Sequence, residues 1–481
     1  MVKKIRKSII IPFTHVANLS LVTGIFPKEL KRANVVPIFK AGDVQIFTNY
    51  RPVSILPVFS KIMERIMYNR LLSFLNKYNI LYAYQFGFRE KYSTYLALIT
   101  LTEKISEALE AGNHVIGIFL DFSKAFDTVN HEILLLKLEH YGIRGVALDW
   151  FKSYLNDRQQ YVTYNNCRSS ISNVNCGVPQ GSILGPLLFI IYINDLSHVA
   201  LRCFLVLFAD DSNLFYSGKD INELTKCMND ELENVLYWLD VNKLSLNVNK
   251  THYIIFTSRN VTISDIDIRV RDVFIDRVAC TKFLGVQIDE KLNWKAHINY
   301  INKKLSKSTG ILLKARKYLP AFCLKSLYYT FAYPYLTYCI HVWGNACITY
   351  LDPLIKVQKR LIRIICNAGY REHTGPLFHQ AGILNLSGIY KYLLSTFMYR
   401  LRDKDLPQIF HDFSKTNSDI HNYSTRQIEN YYVPPWRLDI RKRSPSVQAP
   451  LIWNSLPAFI KDCKTLSIFK KQIKKHLIDS V

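Results

Sequence analysis

Short β-branched and apolar runs alternate with helical stretches up to about residue 290, and helical periodicity takes over beyond it. Residues 1–33 carry no clear pattern and read as a lead-in. Residues 35–39 are strand-like and 58–75 repeat apolar side chains at helical spacing, which makes 34–112 a small α/β unit. The run HVIGIFLD at 114–121 predicts a buried strand that ends in a carboxylate and leads into helical sequence through 138. Two apolar runs, 201–208 and 213–216, flank Ala209, Asp210, Asp211 and Ser212, so a β-hairpin with two carboxylates at its tip is predicted. Behind it Asp220 and Glu223 have the spacing of a capping box. Leu224, Met228, Leu232, Val235 and Leu239 then form one apolar helical face. The apolar run 185–193 stops at Asn194 and Asp195, short of the roughly 18–20 residues that span a bilayer, and reads as buried sheet or helix.

Composition adds a partner to this picture. Of 481 residues 49% are hydrophobic and 13% aromatic, which gives enough apolar surface for two or three packed units and excludes a disordered chain. Lys and Arg number 62 against 38 Asp and Glu, and the resulting charge of +24 points to a polyanion. Basic clusters stand at Lys303, Lys304 and Lys307, at Lys314, Arg316 and Lys317, and at Lys359, Arg360 and Arg363. The ten cysteines include no C-x-x-C pair, so neither a zinc ribbon nor a disulfide framework is indicated. Cys339, His341, Cys347, Cys366, His373 and His379 lie near one another in sequence, but core cysteines explain them better than zinc. No cleavage site follows the basic N-terminus, so no signal peptide is read, and an intracellular setting without a membrane partner is expected.

The carboxylates change the picture most. Nucleotidyl transfer uses two divalent ions roughly 4 Å apart, held by acids that converge from different strands. Asp121 at a strand end and Asp210 and Asp211 on a hairpin turn would converge if their strands are neighbours in one antiparallel sheet. Three acids brought together resist ionising unless cations bind them. Taken singly, each is better explained as a helix cap or a turn residue.

Read in order, the segments LDFSKAFDTVNH at 120–131, GVPQGSILGPLLFIIYINDL at 177–196, FADD at 208–211 and FLGV at 283–286 resemble the palm motifs of reverse transcriptases. NYRPVSIL at 49–56, QFGFR at 85–89 and LSLNVNKT at 244–251 extend the resemblance over roughly 30–290. Their wording is similar to the jockey-like non-LTR (LINE-type) retrotransposon group. The resemblance implies an α+β right-hand polymerase: fingers at 34–112, a palm with an antiparallel sheet at 113–290, a helical thumb at 291–370, and a mainly helical basic extension at 371–481. It implies an RNA-directed DNA polymerase that takes an RNA template, a DNA primer or target DNA, and deoxynucleoside triphosphates, with Mg2+ or Mn2+. A role in the nucleus or cytoplasm follows.

By the same resemblance Asp121 and Asp210 are the principal metal ligands, the Phe122 carbonyl completes one shell and Asp211 assists. Phe126 would be the steric gate against a 2′ hydroxyl, Gln180 would rest near the incoming nucleotide, and Lys250 would protonate the leaving pyrophosphate. Phe283, Leu284 and Gly285 would form the primer grip. Arg51, Lys61, Arg65 and Arg89 are candidates for holding triphosphate or template. Phe208 stands where many retroviral relatives carry Tyr, a departure common in this group. Elements of this kind usually carry an endonuclease before the polymerase, and about 30 residues precede the fingers here, so the chain is expected to lack one. An inactive, truncated nucleic-acid-binding relic stays open as an alternative, and an RNA-dependent RNA polymerase is disfavoured by Phe126.

Overall fold

The computed structural model describes residues 2–258, 266–420, 423 and 427–480. Its centre is a five-stranded sheet in which β3 (His114–Leu120) lies between β8 (Asp211–Gly218) and β9 (His252–Phe256). Beyond β8 comes β7 (Phe204–Phe208), and beyond β9 the short β12 (Asp276–Arg277). Every residue of β3 is buried, and side-chain alternation explains how. Val115 and Phe119 face one hydrophobic core, whereas Ile116, Ile118 and Leu120 face a second. Helix α3 (Thr94–Glu110) supplies the first core, and α6 (Leu184–Tyr192) and α7 (Ile221–Val241) supply the second. The run at 185–193 is therefore a helix in the second core, and the five apolar residues of the predicted α7 face are all buried. Asp220 caps α7, but its side chain accepts from the Asn222 N–H at 2.8 Å and not from Glu223, so a simple cap replaces the capping box.

An outer sheet has the order β2-β1-β4-β5, with β6 on β4. It joins β1 (Arg32–Phe39) and β2 (Tyr50–Ile55) to β4 (Arg158–Tyr164), β5 (Cys167–Arg168) and β6 (Ser172–Val174). β1 and β4 run parallel, with Arg32 opposite Gln159. Helix α2 (Val58–Lys77) continues from β2, as its periodicity predicts.

The unpatterned lead-in proves to be a helix, α1 (Val2–Thr23), which carries Pro12 inside it. Tertiary contact overrides the weak local pattern here. Phe26 meets the rings of Trp150 and Tyr154 edge-on at 5.4 and 5.2 Å, and Trp150 Nε1 donates to Ser20 Oγ at 3.0 Å. Those two rings belong to α5 (Val146–Leu155), which follows α4 (His131–His140). Residues 121–130, predicted helical, form no helix. Their backbone is taken by other segments: the Val129 and Phe126 carbonyls accept from the Gly177 and Val178 N–H groups, both at 2.8 Å.

After a small ribbon of β10 (Arg269–Val270) and β11 (Val273–Phe274), a hairpin of β13 (Cys280–Phe283) and β14 (Val286–Asp289) leads into α8 (Lys295–Ala315). From there the described chain is helical, and its apolar residues join the first core. The segment 437–446 returns to α3. Arg441 pairs with Glu103 at 2.5 Å, with both side chains under a tenth exposed, and Ser446 N–H donates to the other Glu103 oxygen at 2.8 Å. Glu110 accepts from the backbone N–H groups of Arg437 and Leu438 at 2.5 and 2.9 Å. Burial raises the pKa of Glu103 even though Arg441 and Ser446 oppose the rise, so the pair is not free of cost, and losing Arg441 would leave the acid unpaired at about 3–5 kcal/mol. No described helix is long and apolar enough to cross a membrane.

Candidate active site

The carboxylates meet because of strand register. β3 and β8 are antiparallel with Leu120 opposite Ser212, so the next pair along is Asp121 with Asp211. Phe208 pairs with Asp211 across the β7–β8 hairpin, which confines the turn to Ala209 and Asp210, tighter than the predicted four residues. Ala209 closes it at φ +56°.

The QFGFR segment secures that turn. Gln85 is buried, and its Oε1 accepts from the N–H groups of Gly87 at 2.8 Å and Ala209 at 3.1 Å. A Cβ on Gly87 would lie 2.3 Å from the Ala209 nitrogen, so only glycine lets the two backbones pack together. Phe86 N–H adds a bond to the Leu207 carbonyl at 2.8 Å. Asp121 is held from the other side, where its carbonyl accepts from Asn247 N–H at 2.8 Å and buried Phe122 bridges to Leu246.

Crowding by the surrounding protein raises the pKa of Asp210 and of Asp211, the latter to about 6. Repulsion adds to both: Asp121 acts on each, and Asp210 acts on Asp211. Both side chains keep access to solvent, so these shifts bear on proton and cation affinity. Arg51 and Lys40 oppose the rise at Asp210, and Lys40 also opposes it at Asp211. Lys40, which the sequence reading missed, stands one residue beyond β1, where its N–H donates to the Asn49 carbonyl at 2.9 Å. Lys250 Nζ lies 3.5 Å from Asp121 Oδ2, with both groups partly exposed.

Phe126 stacks on Phe189 of α6 with centroids 4.3 Å apart and meets Phe88 edge-on at 6.1 Å. The Gln180 loop is held on three sides. Gln180 Nε2 donates to Asp127 Oδ1 at 2.9 Å, its carbonyl accepts from Ser54 N–H at 2.7 Å, and Ile183 N–H donates to Glu64 of α2 at 2.6 Å. A Cβ on Gly181, at φ +124°, would lie 2.5 Å from the Ser54 carbonyl oxygen.

The hairpin at 283–286 turns through Leu284 and Gly285, both at positive φ. Phe283 packs against Phe119, and the Leu284 carbonyl accepts from the Tyr338 hydroxyl at 2.7 Å. His252, also unnoticed in the sequence, ties this hairpin to the lysine. Its Nδ1–H donates to the Lys250 carbonyl at 2.9 Å, and Nε2 receives the Thr281 hydroxyl at 2.5 Å.

Three of the predicted cations form no ion pair with the carboxylates among the described residues. Arg89 donates to the Tyr82 and Gln85 carbonyls at 2.7 and 3.4 Å and covers the Tyr92 ring, so its guanidinium braces its own loop. Exposed Arg65 lies over Tyr68, and half-buried Lys61 in the first turn of α2 forms no ion pair with the carboxylates among the described residues. The Cys and His residues at 339–379 are not gathered around one point. Cys339 faces Thr94, and His341 stacks on Tyr95.

Among the described residues no three His, Cys, Asp or Glu side chains already close into a metal cage. The donor set nevertheless suits a divalent cation: three acids, proton-hungry at the hairpin, open on the solvent side and backed by fixed β-structure.

Comparison with known proteins agrees with this chemistry. The family model described as reverse transcriptase (RNA-dependent DNA polymerase) matches residues 38–288. The chain is 29% identical over 378 residues to the probable RNA-directed DNA polymerase from transposon BS of Drosophila melanogaster, covering 73% of this chain and 40% of that protein. It is 29% identical over 396 residues to the RNA-directed DNA polymerase from mobile element jockey of the same fly, covering 80% and 43%. The jockey enzyme of Drosophila funebris is 30% identical over 370 residues, covering 74% and 40%. The chain thus spans under half the length of these relatives. Among solved structures it is similar to an apo telomerase from Candida tropicalis, at a TM-score of 0.38 and 13% identity over 55% of this chain and 54% of that one.

Proposed function

The chain belongs to the reverse transcriptase (RNA-dependent DNA polymerase) family and has its α+β right-hand fold, and on that premise we propose that it adds deoxynucleotides to a DNA primer 3′ hydroxyl opposite an RNA template, as part of a non-LTR retrotransposon. The observation that carries this reading is the pairing of Leu120 with Ser212, which leaves Asp121 and Asp211 as the next residues along two adjacent strands, with Asp210 at the adjoining turn. Asp121, Asp210 and the Phe122 carbonyl would hold Mg2+ or Mn2+, assisted by Asp211. Bound divalent ions would supply activation of the attacking hydroxyl and screening of the triphosphate.

The chain's own residues do the positioning. Arg51 and Lys40, whose charges already reach the hairpin acids, bind the triphosphate. Phe126, fixed between Phe189 and Phe88, excludes a sugar with a 2′ hydroxyl. Gln180 orients the nucleotide against the template, and Lys250 delivers a proton to the departing pyrophosphate. The 283–286 hairpin supports the primer end. Fingers at 34–112, palm at 113–290, thumb at 291–370 and the extension at 371–481 are the corresponding division. The thumb's cations hold the duplex through phosphates, which makes binding steeply salt-dependent.

Primer extension on poly(rA) with oligo(dT), dTTP and Mg2+ tests the reading. Extension by the intact chain and none by Asp210→Ala is expected. Duplex binding without extension by the intact chain would overturn it in favour of an inactive relic.

A further inference from the structure

A cavity whose lining includes none of the carboxylate-site residues opens where 439–452 meets the N-terminal turns of the helices Ile348–Ile365 and Leu386–Arg402. Its volume of about 610 Å3 falls in the range of small-molecule sites. Leu351, Ile355 and Leu386 give it an apolar wall, and Lys391, Lys442 and Arg443 give it three cations. Asp439 is the acid in the lining, and it already pairs with Arg443 at 3.4 Å, so an electropositive excess remains. The amides of Asn345 and Gln448 line it as well.

An apolar wall beside several cations and two amides suits a flat base joined to a phosphate. We propose that this cavity binds a nucleotide unit of a single-stranded nucleic acid, with the phosphate on Lys391, Lys442 and Arg443 and the base against Leu351, Ile355 and Leu386. The polymerase reading enters only by supplying single strands as the polyanion at hand. A strand running from the carboxylate cleft would thereby gain a second hold in the C-terminal part of the chain.

Cys347, in the cavity lining, provides the probe. Its thiol accepts from Thr349 Oγ1 at 3.2 Å, and this bond, with help from Arg443, lowers its pKa and favours alkylation. Cys176 is exposed beside the Gln180 loop, with Sγ 3.5 Å from the Asp127 carbonyl oxygen, and reports on the polymerase cleft.

The experiment is iodoacetamide alkylation of the full chain, read cysteine by cysteine by mass spectrometry, without ligand, with a single-stranded 20-mer RNA, with the matching DNA, and with AMP. The strand is expected to slow alkylation of Cys347 at least about fivefold. The triple variant Lys391→Gln, Lys442→Gln, Arg443→Gln is expected to lose that protection and to reduce the slope of log affinity against log salt by about 0.7, the value for one phosphate contact on a single strand. Protection by AMP as well assigns the site to free nucleotides too, and a difference between RNA and DNA identifies the preferred strand. Protection of Cys176 with Cys347 unchanged would overturn this inference and leave the polymerase reading standing. Protection of neither would likewise overturn this inference, and primer extension would then decide the polymerase reading separately.

Discussion

The two five-stranded sheets resemble each other in size and differ in almost everything else. In the central sheet β3 is buried along its whole length, with a core on each face. In the outer sheet β2 and β4 are mostly half-buried or exposed, and Ile38, Phe39, Ile55, Val162 and Tyr164 reach solvent. The first sheet can therefore hold like charges close together, because its packing fixes the backbone that carries them. The second carries Arg51, and Lys40 at its edge, on a lightly packed frame, which suits groups that follow a substrate and need not be rigid.

The largest effect should come from the central sheet's charges. Asp210→Asn is expected to reduce primer extension by at least about a thousandfold, in the range of losing a transition-state charge stabiliser. Its melting temperature should not fall, because a repulsion is removed; a large fall would show Asp210 to be structural. Next comes packing. Ile118→Ala should cost about 2–5 kcal/mol in chemical denaturation, whereas Val162→Ala in the outer sheet should stay within about 0.5 kcal/mol. Equal losses would abolish the contrast drawn between the sheets.

The pH dependence sharpens the comparison further. Asp211 titrates near 6 because the surrounding protein, then Asp210 and Asp121, favour its protonated form. A proton therefore competes with a divalent ion below that pH and not above it. The Mg2+ half-saturation constant should be flat above pH 7 and rise about tenfold per unit below 6, and Asp211→Asn should flatten that rise. The smallest effect belongs to the outer sheet's edge. Lys40→Ala should raise KM for deoxynucleotide about fivefold with little change in kcat, since uniform binding is what a triphosphate contact supplies. A fall in kcat alone would move Lys40 from binding to chemistry.

The acids were legible because short-range order carries them: a buried strand with a terminal Asp, and an Asp pair between two apolar arms. Helix α7 was legible for the same reason. Lys40 was not, being one cation among 62 Lys and Arg with nothing local to distinguish it. Gly87 and Gln85 could be read as a motif, but that they brace the hairpin turn depends on an approach of the Ala209 backbone that no local pattern announces. Arg89 illustrates the reverse case. Its charge invited a ligand, and the carbonyls of its own loop took it. Helix α1 was illegible because Pro12 and a mixed pattern conceal a segment that α5 holds in place.

The pairing of Glu103 with Arg441 spans 338 residues, and this has a consequence for synthesis. At about 5–20 residues per second a ribosome needs about 17–70 s to travel from one to the other. During that interval helix α3 has no partner for its innermost glutamate, and the first core lacks the helices that complete it. The first core is thus completed only once residues 437–446 have been made, and the nascent intermediate, with α3 still exposed on its outer side, is the species a chaperone would meet.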